Sequence, residues 1–84
     1  MEPIVDLDAR GLLCPLPVLK ARKRLLAMAP GSLLSVIASD PAAVVDMPHF
    51  CQQAGHRLLA IEEVEGGHRY LIARGETGGA ASAD

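Results

Sequence analysis

Aromatic residues are nearly missing from this chain of 84 residues, which has no tryptophan, one phenylalanine (Phe50) and one tyrosine (Tyr70). A surface that stacks bases on aromatic rings has little to build with. An excess of positive charge is missing as well. Eight Lys and Arg against ten Asp and Glu leave a formal charge of −2, which argues against direct nucleic-acid binding through the chain's own field. No apolar run approaches the roughly 20 residues of a membrane-spanning helix. Asp6, Asp8 and Arg10 interrupt the start, where a secretory leader would need an apolar core. The expectation is a soluble, cytoplasmic protein without membrane contact. Cysteine is scarce too: Cys14 and Cys51 lie in unlike settings and do not resemble a secreted disulfide framework. There is no internal repeat.

What is present is aliphatic. Half of the residues are hydrophobic, enough for one small core without a metal or disulfide staple. Residues 1–75 read as a single domain. The Gly- and Ala-rich run that begins at Gly75 reads as a flexible tail over residues 76–84. Val5, Leu7 and Ala9 alternate with Asp6, Asp8 and Arg10, the period of a half-covered strand. From Pro15 to Ala29 the period becomes helical, with Val18, Leu19, Leu25, Leu26 and Ala29 as the apolar face and Lys20, Lys23 and Arg24 opposite. Pro15 and Pro17 suit the first turn, and Pro30-Gly31 supplies the stop. Ser32–Ser39 reads as a second strand. Its Leu34, Val36 and Ala38 point to one side, and Leu33, Ser35, Ile37 and Ser39 to the other.

Asp40-Pro41 opens a second helix, with Asp40 as cap and Val44, Val45, Cys51 and Ala54 as apolar stripe. Pro48 predicts a kink or a split near Asp46-Met47-Pro48, and Gly55 closes the helix. Arg57–Glu65 and His68–Arg74 form a hairpin through Gly66-Gly67. Right-handed crossovers moving in one direction put both helices on one face. The fold class expected is therefore an α/β two-layer sandwich, βαβαββ, with a mixed four-stranded sheet and a solvated second face.

Cys14 stands in Gly11-Leu12-Leu13-Cys14-Pro15-Leu16-Pro17, where the first strand ends and the first helix begins. A free cysteine is often just a small buried hydrophobe. Here, however, it lies at the carboxyl end of a strand in an open α/β sheet, where ligands and chemistry gather, and two prolines stiffen its loop. The unpaired amides and dipole of the helix end are expected to favour its thiolate. Pro17 occupies the second position of a Cys-x-x-Cys pair, so no local resolving thiol exists. A one-cysteine carrier fits: its thiolate attacks the outer sulfur of a donor persulfide, keeps that sulfur, and gives it to an acceptor.

That run, with Asp40-Pro41-Ala42, then Asp46-Met47-Pro48-His49-Phe50-Cys51, and Gly55-His56, resembles the TusA/SirA/YedF-type sulfur carriers over about Val5 to Arg74. The resemblance implies a two-layer βαβαββ sandwich in which Cys14 carries the sulfur. It also implies a cysteine desulfurase or rhodanese as donor and a downstream sulfur-acceptor protein, in tRNA thiolation, molybdenum cofactor enzymes or sulfur oxidation.

Other residues carry plainer readings. Gly11, Pro15 and Pro17 position the loop. Cys51, mid-helix, reads as an inert core thiol. Asp40 is first a helix cap and second a polar neighbour of Cys14. Lys20, Lys23 and Arg24 form a solvated face, though with Arg10 and Arg22 they could steer an acidic partner or stabilise the anionic persulfide, Arg10 being the best candidate for the second role. His49, Cys51, His56 and His68 lack the spacing of a zinc site. Neither a metal nor a cofactor is expected. The competing reading is a regulatory or scaffolding module without sulfur chemistry, docking through Leu33 and Ile37 on the uncovered sheet face.

Overall fold

The computed structural model describes residues 4–76. Two helices lie against a four-stranded mixed sheet in the order β1 (Val5–Ala9), α1 (Leu16–Leu26), β2 (Leu33–Ala38), α2 (Ala43–Ala54), β3 (Arg57–Val64), β4 (Gly67–Ala73). Across the sheet the strands run β1-β2-β4-β3. β1 is parallel to β2, with Val5 opposite Leu34 and Ala9 opposite Ala38. β4 is antiparallel to both β2 and β3, so the connection through α2 steps over the place that β4 fills. Both crossovers advance in the same direction, and the helices pack against each other on one face. No helix among the described residues is long and apolar enough to cross a membrane.

The strand alternation holds as the sequence implies. Leu34, Val36 and Ala38 are buried and share their face with Ala9, Tyr70 and Ile72. Burying a side chain of leucine or valine size is worth about 1.5–3 kcal/mol, so this small aliphatic layer supplies most of what holds the helices down. The opposite face carries Asp6, Asp8, Arg69 and Glu62. Glu62 and Arg69 pair across strands at 3.5 Å. Ser35 departs from the expectation of a solvated face: flanked by two strands and by Asp6 and Leu71, it is buried.

Three local expectations are corrected. α1 ends at Leu26 rather than Ala29, and it buries Pro17, Ala21 and Leu25 while Leu19 and Leu26 stay half exposed. A narrow line at i, i+4 and i+8 is all that a two-layer fold covers. α2 does the same with Ala43, Met47 and Cys51, leaving Val45 at 72% exposure and Val44 at 37%. Pro48 neither splits nor ends that helix, which is assigned continuously from Ala43 to Ala54. Gly55 closes α2 in the left-handed region at φ 82°, as expected.

The C-terminal part of the domain is tied down. Arg74 donates from Nε to the Leu25 carbonyl at 2.7 Å, at the end of α1. The Gly75 N–H donates to Nδ1 of buried His56 at 2.9 Å. Apart from Glu76, the expected tail falls on residues 77–84, which lie outside the described residues.

Candidate functional site

The carboxyl ends of β1 and β2 are adjacent because the two strands are parallel neighbours. The loops that leave them therefore meet, and Cys14 lies in the first. Gly11 turns that loop away from the strand at φ 82°, a conformation that favours glycine. Side chains of the second loop then pin the first. The Ser39 hydroxyl accepts from the Gly11 N–H at 2.8 Å, and the Asp40 carboxylate accepts from the Cys14 N–H through Oδ2 at 2.6 Å.

Asp40 is thus the polar neighbour of Cys14 read from the sequence, but it is not the cap of α2. Its other oxygen accepts from the Ala42 N–H at 3.0 Å, in the turn before the helix, and the N-cap is Ala42, with no side-chain bond to the helix end. These two backbone donors hold its carboxyl below the usual range.

The thiol is exposed, as a carrier requires, and Cys51 is buried. Burial pushes Cys51 up to about 11, making it an inert thiol at neutral pH. The ionisation expected for Cys14 is overturned. Its Sγ donates to Asp46 Oδ2 at 2.8 Å, and that bond, followed by loss of solvent and the charges of Asp46 and Asp40, raises the thiol above its ordinary value. The helix end cannot compensate. Pro15 is the N-cap, Pro17 stands at the second helical position, and the Leu16 N–H is taken by the Leu13 carbonyl at 2.7 Å. Two of the first amides that would favour an anion are prolines, which have none.

The basic residues do not reach the sulfur to offset this. The Arg10 guanidinium grips Asp8 in two bonds of 2.9 Å, with its own N–H adding a third at 3.0 Å. That grip holds the Asp8 carboxyl far below the usual range. Lys20 Nζ donates to the Asp8 carbonyl at 2.8 Å. Both cations brace the end of β1. Arg22, Lys23 and Arg24 are exposed along α1.

Two functional positions are missed by reading the sequence. Ser39 shows there only as one residue of a strand face. Asp46 shows only as part of an expected helix break, although an acid in the first turn of α2 is a usable signal once β1 and β2 are placed side by side. Leu33 and Ile37, the docking patch of the competing reading, are half-buried. Exposed apolar side chains instead flank the bonded pair: Leu13 and Leu16 beside Cys14, and Val45 beside Asp46.

Residues 5–74 match the model of the family described as Sulfurtransferase TusA. The chain is 48% identical over 67 residues to a protein named Sulfur carrier protein TusA from Allochromatium vinosum, the match covering 80% of this chain and 88% of that one.

Proposed function

The chain belongs to the sulfurtransferase TusA family, and from that premise we propose that it is a sulfur carrier whose Cys14 accepts sulfane sulfur as a persulfide and relays it to an acceptor protein. The observation that carries this reading is the exposed thiol at the meeting of two strand ends, its backbone held by Asp40. As a thiolate, Cys14 attacks the outer sulfur of a donor persulfide. The donor's S–S bond breaks, its electron pair leaves on the donor's own cysteine, and Cys14–S–SH forms. Delivery repeats the step with the acceptor thiol as attacker. No net oxidation occurs, so no cofactor is called for.

A cysteine desulfurase or rhodanese is the donor this chemistry fits, and a downstream protein thiol is the acceptor. The cytoplasm is the fitting compartment, since it keeps both cysteines reduced. Gly11, Pro15, Pro17 and Asp40 position the thiol, while Arg10 and Lys20 brace the strand end behind it.

The test is intact mass after incubation with a rhodanese and thiosulfate, or a desulfurase and cysteine. Wild type and Cys51→Ser gain one sulfur and Cys14→Ser gains none. Equal uptake by Cys14→Ser and wild type overturns the reading.

A further inference from the structure

The group facing the sulfur is an anion, which is the opposite of what a ready nucleophile needs. The 2.8 Å bond from Cys14 Sγ to Asp46 Oδ2 requires the thiol proton. Without it, sulfur and carboxylate would be two negative charges in contact, an arrangement that favours the neutral form of one of them. The charges that act on this sulfur are Asp46, from the first turn of α2, and Asp40, from the loop before it. The chain's own nearby cations, Arg10 and Lys20, are engaged at Asp8. The free protein therefore holds Cys14 as the thiol, the less reactive form. Transfer nevertheless needs the thiolate.

We infer that Asp46 is a protonation lock on Cys14: it keeps the sulfur a thiol in the free protein, and a cationic side chain brought to the carboxylate by the docked sulfur donor opens it. Asp46 is half-buried, and its Oδ1 takes no protein hydrogen bond among the described residues, so a guanidinium or ammonium has an oxygen to meet. Once the carboxylate is paired, the thiol proton leaves to solvent, and the thiolate attacks the outer sulfur of the persulfide presented to it. Exposed Leu13, Leu16 and Val45 around the pair give such a partner an apolar rim to rest on. The lock confines the reactive anion to the docked state, which spares it from unrelated disulfides and oxidants. Asp46 is in these terms a positioning residue for the reaction, and its role rests on the persulfide reading above.

The test is the pH profile of alkylation by iodoacetamide, a neutral probe, on the full chain in a Cys51→Ser background so that one thiol reports. Wild type inflects above an ordinary thiol. Asp46→Asn brings the inflection to a pH lower by about 1 or more, Asp46→Glu keeps it high, and Asp46→Lys lowers it furthest. For an inflection lower by about 1 in pH, the thiolate fraction rises about tenfold while intrinsic nucleophilicity falls about threefold, so alkylation at neutral pH speeds up about threefold. Circular dichroism checks that the fold is kept, and Asp46→Ser replaces any neutral variant that fails to fold. An inflection in the neutral variants equal to or above wild type overturns the lock. No sulfur donor enters this measurement, so the lock can fail while Cys14 still loads sulfur, and sulfur loading can fail while the lock stands.

Discussion

A thiol at a helix end and a thiol beside a carboxylate are pulled in opposite directions, and at Cys14 the carboxylate wins. A helix end helps an anion through free amides, and this one has spent or lost most of its own. Asp46 acts through a direct bond. The cysteine itself is readable from the sequence because its loop, its prolines and its place after a strand are local. Asp46 is not, because 32 positions separate it from Cys14 and only the adjacency of β1 and β2 closes that distance. The bracing of Asp8 by Arg10 has the same character: charge is visible in the sequence, its partner is not. A further residue stands out under the site. Tyr70 is buried and its hydroxyl has no hydrogen-bond partner among the described residues. A buried unpaired hydroxyl costs about 1–3 kcal/mol, so Tyr70→Phe is expected to leave stability unchanged or raise it by about 1 kcal/mol in urea unfolding. A clear loss would mean that the hydroxyl has found a partner in solution.

The helices teach a different lesson. Their existence, order and flanking turns follow from periodicity and from Pro and Gly, yet hydropathy gets each apolar face only in part: Leu25 and Cys51 are buried and Val18 packs on the core as expected, while Leu19, Leu26, Val44 and Val45 face outward. Small or flexible residues outside the expected faces, Ala21 in α1 and Ala43 and Met47 in α2, complete the buried lines. A hydropathy count favours the larger side chains, but the close approach of helix to sheet favours the smaller ones. The hairpin is legible nearly to the residue because its turn chemistry is local: Gly66 has φ 84° and Gly67 φ 158°. Gly67 has a second constraint. A Cβ there would overlap the Ala38 carbonyl on the neighbouring strand, a backbone group that cannot swing aside. Gly67→Ala should cost about 1–3 kcal/mol in chemical unfolding. Gly66→Ala meets no atom and should cost less, its strain coming from φ alone. Equal losses at the two positions would contradict this account of the turn.

At the scale of the whole molecule, two covalently distant loops make the site and one latch closes the fold. Topology is derivable because parallel pairing and crossover handedness leave few arrangements for this element order. The latch is not, since His56 gives no sequence sign of accepting a bond from Gly75. Its ring is buried beside Phe50, with centroids 5.6 Å apart. Burial first, and Arg74 second, lower its pKa. The folded state therefore prefers the neutral ring, while the unfolded chain takes up a proton near pH 6.5. The latch's contribution is complete above that value and is lost as pH falls below it toward the folded pKa. Wild-type stability should thus decline as pH drops from about 6.5, and His56→Gln should flatten that slope. A slope unchanged by the substitution would place the acid sensitivity elsewhere.

The relay itself is judged by where sulfur comes to rest. Isotopically labelled sulfane sulfur, delivered by a rhodanese or desulfurase and followed by peptide mapping of the wild-type chain, should appear on the Cys14 peptide alone, with the Cys51 peptide unlabelled as an internal control. Label on Cys51 in equal measure, or a Cys14 peptide that stays unlabelled while the chain gains sulfur, would contradict a carrier that works through the thiol between the two strand ends.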